Sequence, residues 1–222
     1  MLVVLLNAGT LSSNIDPFAD SVVLYLKGED LTDSSPSPKS ISTFGNAVVS
    51  SAQSKYGSSS LFSGTTGYFT VSDSSLNLAS GSFTVESWVY MPSLVTSDIL
   101  TTRSGSSQGG WLFRITSAPA LAFFAQNDGW TDRPLAFSDS TWFHLAISYD
   151  HPSTTINVFS QGVLEYTSSS VSYVSTQSVV GIGAAIDGSN QADNLYVDHF
   201  RITKGVSRYS GNFNPETDTF MP

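Results

Sequence analysis

Four acidic residues, Glu29, Asp30, Asp33 and Asp198, are the side chains of this 222-residue chain best suited to hold a cation. Calcium takes about six to eight oxygens from carboxylates, backbone carbonyls and water. Asp33 and Asp198 lead, because pairing of the first and last strong strands would bring the Asp33 loop close to Asp198. Glu29 and Asp30 are second choices. A plainer role is open to Asp33, since an Asx side chain in a turn bonds to nearby backbone N–H groups and caps it. No D-x-D-x-D-G loop marks a dedicated calcium hairpin.

The second chemistry is sugar recognition, which needs an aromatic platform with polar neighbours, because sugar faces stack and their hydroxyls demand hydrogen bonds. Trp130 fits best. It sits in Asn-Asp-Gly-Trp-Thr-Asp-Arg, with Asp128, Asp132 and Arg133 as partners. Trp111 and Tyr149 are weaker candidates. Trp130 has two plainer roles, folding back over an open edge or packing on a neighbouring subunit.

Catalysis finds little support. His144, His151 and His199 are not spaced as a metal cluster and no H-E-x-x-H is present. The G-x-S-x-G pattern does not occur as a strand-to-helix turn. Glu86 could serve as one carboxylate of a glycosidase, but that chemistry needs two, about 5–9 Å apart in a cleft, and no second presents itself. With no cysteine, a thiolate nucleophile and a disulfide framework are excluded. Lys plus Arg number 9 against 18 Asp plus Glu, a formal charge of −9, and no basic cluster offsets it, which argues against nucleic acid as a partner.

The elements that must position these residues read as strands. Residues 21–27 alternate Val22, Leu24 and Leu26 against Val23, Tyr25 and Lys27, apolar on both faces. Residues 82–90 are rich in β-branched and aromatic types. In residues 142–149, Phe143, Leu145, Ile147 and Tyr149 share one face and Trp142, His144, Ala146 and Ser148 the other. Ser160-Gln161-Gly162 reads as a hairpin turn. Residues 194–203 form the last long strand and carry a phase conflict: Val197 and Phe200 cannot share a face of a regular strand, so a bulge near Asp198-His199 is expected. The pattern gives about 12 to 14 short strands, no helix beyond one or two turns and no βαβ alternation. Two antiparallel sheets packed about 10 Å apart are the physical solution. Trp88, Trp142, Phe200 and Ile202 are the expected core.

The N-terminal run Leu2, Val3, Val4, Leu5 and Leu6 is a poor signal peptide, because it has no positive start and Asn7 interrupts it. It is far short of the roughly 20 residues that span a bilayer, so no membrane insertion is expected. It reads as a strand edge or as an arm docking on another chain.

Several segments carry a resemblance when taken in order. They are residues 21–26 with 31–39, Gly45-Asn46-Ala47, residues 54–62 (Ser-Lys-Tyr-Gly-Ser-Ser-Ser-Leu-Phe), residues 81–89 (Gly-Ser-Phe-Thr-Val-Glu-Ser-Trp-Val), Trp142-Phe143-His144-Leu145-Ala146, and residues 197–215. Together, over about residues 20–216, the chain resembles the concanavalin A-like, laminin-G-type jelly-roll domains, in particular those of tail, fibre and surface proteins of bacterial viruses. The resemblance implies an all-β, two-sheet antiparallel jelly-roll sandwich with adjacent end strands, a binding or structural role often directed at glycans, and in many relatives one structural calcium ion. Where relatives show an acidic pair in the last long strand, this chain has Asp198 followed by His199.

The expected organisation is an arm and connector over 1–19, a jelly roll over 20–210 and a tail over 211–222. The expected function is a non-enzymatic virion component at the surface of a capsid or tail, docking through its termini onto other virion proteins and copies of itself. The alternative is a glycan-binding adhesin that attaches to a host-surface glycan, and the third reading is a glycoside hydrolase.

Overall fold

The alternation of Phe143, Leu145, Ile147 and Tyr149 is realised as the buried face of a long strand, and the rest of the molecule is two sheets built around such faces. The computed structural model describes residues 16–103, 110–116, 120–125, 129–134, 138–171 and 176–216. Within them lie fifteen strands and two single 3-10 turns, Ala19–Ser21 and Ser74–Leu76. In the first half they are β1 (Val22–Leu26), β2 (Ile41–Phe44), β3 (Val48–Ser50), β4 (Ser60–Phe62), β5 (Tyr68–Ser72), β6 (Phe83–Tyr90), β7 (Ser97–Thr101) and β8 (Trp111–Thr116). In the second half they are β9 (Ala120–Ala125), β10 (Gly129–Pro134), β11 (Trp142–Asp150), β12 (Thr155–Ser160), β13 (Val163–Ser168), β14 (Val179–Ile182) and β15 (Tyr196–Lys204).

The eight-stranded sheet runs β13-β12-β11-β6-β15-β4-β3, with β1 also on β15. The seven-stranded sheet runs β10-β9-β8-β7-β14-β5-β2. All pairings are antiparallel. The expected all-β, two-sheet jelly-roll sandwich is the observed one.

The end strands pair as expected. β1 lies against the second half of β15, from Val22 opposite Thr203 to Leu26 opposite Phe200, while β4 takes the first half at Tyr196 and Val197. The phase conflict is resolved by a bulge. The register of β15 on β6 shifts between Asp198 and Arg201, and His199 has φ +50°. The extra residue re-aims the strand, so Val197, Phe200 and Ile202 all enter the core.

Of the two tryptophans expected in the core, Trp88 is buried as expected and Trp142 needs correction. Trp88 is buried, at 2% exposure, but not between the sheets: it shares a face of β6 with Glu86, the face turned away from Phe83, Val85 and Val89. Trp142 is half-buried at the start of β11 and leans on Tyr90. Aromatic content marked both tryptophans for the interior, but strand parity placed them on the outer face. Phe200 and Ile202 are fully buried as expected.

The outer face of the eight-stranded sheet does not meet water over its centre. The chain leaves β15 and residues 205–216 run back across that face as a strap. Tyr209 and Phe213 stack on each other at 3.7 Å between ring centroids and close a small apolar cluster with Ala146, Phe159 and Leu164. The strap is pinned at the β12–β13 hairpin, whose two turn residues, Gln161 (φ +51°) and Gly162 (φ +73°), are both left-handed, as a two-residue hairpin of this hand requires. The Gly162 carbonyl accepts the Phe213 N–H at 2.9 Å, and a Cβ at position 162 would lie 2.1 Å from the Phe213 carbonyl oxygen. Gly162→Ala is therefore expected to lift the strap and cost more than about 1 kcal/mol, since it adds backbone strain to a steric clash. A thermal melt checks this, and an unchanged midpoint would show that the strap adds nothing to stability.

Candidate functional site

Beneath the strap lies a buried ionic network. Glu86, 0% exposed on β6, accepts Arg201 Nε and Nη2 on Oε1 at 2.9 and 2.7 Å and the Tyr209 hydroxyl on Oε2 at 2.8 Å. His144 Nε2 stands 3.6 Å from the same carboxylate. Arg208 makes a two-toothed pair with Asp16 at 2.9 and 2.7 Å, and Arg201 Nη1 reaches Asp16 at 3.1 Å. One residue from the start of the described chain, Asp16, and two from the strap, Arg208 and Tyr209, are thus tied to the neighbouring strands β6 and β15. Burial alone would raise the Glu86 carboxyl, but the Arg201 guanidinium, with His144 and Arg208, overrides it and holds the carboxyl down at about 2. A glycosidase acid needs the reverse, a carboxyl held protonated near neutral pH. Glu86 is a structural anion whose acceptor positions are filled by the protein.

A second cluster surrounds Asp198. Its Oδ2 accepts the Lys55 and Tyr56 N–H groups at 2.7 and 3.1 Å, so the carboxylate fastens residues 53–56 over the sheet. Its Oδ1 is buried without a hydrogen-bond partner and lies 3.6 Å from His199 Nε2. The Tyr25 hydroxyl and His199 Nδ1 are 2.7 Å apart. The Lys55 ammonium sits 3.9 Å above the Trp88 ring and pairs with Glu216 of the strap, which also accepts the Tyr56 hydroxyl. Burial pushes the Asp198 carboxyl up to about 6 and pushes His199 down to about 4.

The four carboxylates expected for calcium are engaged by the protein's own donors. Asp33 is buried and spends its oxygens on donors: Oδ1 takes the Tyr25 and Ser35 N–H groups, and Oδ2 the Ser35 hydroxyl and Lys39 N–H, all at 2.9 Å. It caps its own loop. Glu29 accepts the Ser58 N–H and hydroxyl, both at 2.7 Å, and Asp30 caps Thr32. Asp198 Oδ1 remains a buried oxygen without a hydrogen-bond partner. Among the described residues no group of three or more His, Asp or Glu side chains gathers for a metal.

The expected sugar platform is redrawn as well. Trp111 is 0% exposed and belongs to the inter-sheet core; Tyr149 is 1% exposed and donates its hydroxyl to the Val171 carbonyl at 2.9 Å. Neither ring presents a face to a ligand, because strand parity turns both inward. Trp130, Asp132 and Arg133 lie on β10, which has one neighbour, β9, with Trp130 opposite Phe124. Asp128 and the arm residues Leu2, Val3, Val4, Leu5 and Leu6 lie outside the described residues.

A site that the sequence did not single out is an open polar groove of about 430 Å³ on the outer face, lined by Asp150, Ser153, Thr155, Asn157, Thr167, Ser207 and Ser210. β11 supplies Asp150 at its end. Thr155 and Asn157 are the outward residues of β12, alternating with Ile156 and Val158 in the core. Thr167 stands opposite Asn157 on β13 and donates to its Oδ1 at 2.7 Å. Ser207 and Ser210 come from the strap, and Ser207 bonds the Ser148 hydroxyl at 2.9 Å. Asp150 Oδ2 accepts the Ser153 hydroxyl, which shapes one wall. The readable signal was a row of polar residues alternating with core residues on two neighbouring strands. The missing half was the return of the strap, which no periodicity announces.

With that geometry in place, the comparisons with known proteins are specific. A family model described as the concanavalin A-like lectin/glucanases superfamily matches residues 63–207. Among solved structures, the binding domain of botulinum neurotoxin DC in complex with SialylT aligns with TM-score 0.63 at 17% identity, over 85% of this chain and 49% of that one. The binding domain of Paraclostridial Mosquitocidal Protein 1 aligns with TM-score 0.64 at 14% identity, over 90% and 51%. The receptor-binding domain of botulinum neurotoxin type G gives 0.61 at 13%, over 89% and 49%. The chain spans about half the length of each of these, and at such identities the likeness is one of fold. None of the curated protein sequences compared with it matches.

Proposed function

We propose, from the premise that this chain belongs to the concanavalin A-like lectin/glucanases superfamily, that it is a non-catalytic glycan-binding domain whose site is the outer-face groove. The observation that carries this reading is the lining: hydroxyls, one carboxamide and one carboxylate converge on a concavity of small-ligand size. Sugars present hydroxyls that both donate and accept, and such a wall answers them in kind. The superfamily's other branch, glucan hydrolysis, is disfavoured by the saturated, strongly acidic Glu86.

A role in attachment to a cell surface is the finer part of the proposal. The similar structures are binding and receptor-binding domains, which supports attachment more than a purely structural place in a virion. Placement on a capsid or tail rests on the resemblance of the sequence segments alone.

The test is binding to an immobilised glycan panel, followed by titration with the best ligand. Asp150→Ala and Asn157→Ala are each expected to weaken binding about 10- to 100-fold, as loss of a charge-assisted or amide hydrogen bond does. Wild-type protein that binds nothing on the panel would sink the proposal. Ligands bound with full affinity by both variants would move the site elsewhere.

A further inference from the structure

The electrostatic character of the groove narrows its ligand class, an inference that rests on the glycan-binding reading. We infer that the groove selects uncharged saccharides and rejects glycans terminating in a carboxylate or sulfate.

Of the seven lining residues, five contribute hydroxyls (Ser153, Thr155, Thr167, Ser207 and Ser210), Asn157 a carboxamide and Asp150 the one formal charge. Among the described residues no lysine or arginine lines the groove. The cations nearest in sequence to its strap residues are engaged elsewhere: Arg208 is paired with Asp16, Lys204 donates to the Ser75 carbonyl at 3.1 Å, and Arg201 is paired with Glu86 and Asp16. Glu165, exposed on β13 two residues before Thr167, puts a negative charge on that strand, and the whole chain carries −9.

Asp150 decides the selectivity. Its Oδ2 is engaged by the Ser153 N–H and hydroxyl, which leaves Oδ1 for a ligand. An ionised carboxylate only accepts, so its partner must donate. A sugar hydroxyl donates. A sialic, uronic or sulfate group at the same place supplies no donor and adds like-charge repulsion that no cation in the lining offsets. Among the described residues the lining holds no aromatic ring, so recognition by them rests on hydrogen bonds to hydroxyls and not on stacking. A site built that way discriminates against ligands that leave its polar groups unpaired.

The experiment uses the full chain on an array of matched pairs, each neutral glycan beside its sialylated or sulfated counterpart, with titration of the best pair. Wild-type protein should bind the acidic member at least about tenfold more weakly, the size of one unfavourable charge contact in a partly hydrated site. Asp150→Asn, which keeps the shape and removes the charge, should shrink that gap to within about threefold. Thr167→Lys, an exposed edge-strand change that adds a cation, should turn the preference toward the acidic member even if Asp150→Asn fails to fold. Acidic glycans bound as well as or better than neutral ones by wild type would overturn the inference while leaving glycan binding intact. A gap that neither variant moves would overturn it too. An array on which nothing binds would instead remove the glycan reading and this inference with it.

Discussion

Glu86→Ala is expected to destabilise the fold by about 3–5 kcal/mol, the cost of removing one partner from a buried ion pair. The loss is large because three groups depend on that carboxylate. Arg201 loses both of its bonds to the carboxylate, the Tyr209 hydroxyl loses its acceptor at a buried position, and His144 loses the anion 3.6 Å away. In a domain of this size the melting temperature should fall by roughly 6–20 °C. Glu86→Gln retains a neutral acceptor for Tyr209 and should fall between wild type and alanine. The strap is the structural casualty, since Tyr209 anchors it and Ser207 and Ser210 complete the groove from its two sides. Glycan affinity should therefore drop in Glu86→Gln at temperatures where the variant is still folded. Guanidinium titrations give the first effect and ligand titration the second. An unchanged denaturation midpoint in Glu86→Ala would mean the network is neutral to stability.

That network also shows what could be read from the sequence. The core strands announced themselves through period-two alternation, and the β15 bulge announced itself through a violation of it, because no regular strand puts Val197 and Phe200 on one face. Pairing of β1 with β15 followed from strength of pattern at both ends. Residue type was a weaker guide than parity. Trp88 shares a face with Glu86, so a large aromatic sits outside the inter-sheet core and serves as a floor for Lys55. Trp111 and Tyr149, chosen as ligand platforms for their aromaticity, sit in the interior for the same reason.

The site was harder to read because its parts are far apart in sequence. Asp16 and Arg208 meet across almost the whole chain, and the groove joins the end of β11 to a strap that begins more than fifty residues later, after β15. Local patterns report which side of a strand a residue faces. They do not report what returns to cover that side. The acidic residues chosen as cation ligands show the same limit: Asp33, Glu29 and Asp30 each turned out to satisfy backbone N–H groups of loops, a demand every loop makes and no motif records.

Stability of the wild-type protein should change little between pH 4 and 6.5 on account of Asp198 and His199, because their contributions oppose. Asp198 is pushed up from 3.8 to about 6, chiefly by burial, so the fold prefers its protonated form. Its contribution is complete below pH 3.8 and is lost as pH rises through 6. His199 is pushed down from 6.5 to about 4, by burial first and then by Lys27 and Arg201, so the fold prefers the neutral ring. Its contribution is complete above pH 6.5 and is lost as pH falls through 4. Each shift corresponds to about 3 kcal/mol. Asp198→Asn removes one slope and should leave a variant that loses about that much stability on acidification from pH 6.5 to 4. His199→Asn, a residue type tolerated at the left-handed φ of this position, should do the reverse and lose stability as pH rises from 4 to 6.5. Groups such as Glu86, held down at about 2, contribute alike to all variants and cancel in the comparison. Urea midpoints at four pH values between 4 and 7 give the slopes. Opposite changes of slope relative to wild type in the two single variants, and a double variant that parallels wild type, are the expected pattern; single variants that both follow wild type would mean that neither buried group changes its charge on folding. The physical root of the pattern is the bulge. It re-aims β15 to bring Phe200 and Ile202 into the core, and in the same step it leaves an Asp oxygen without a donor beside a histidine that burial keeps uncharged.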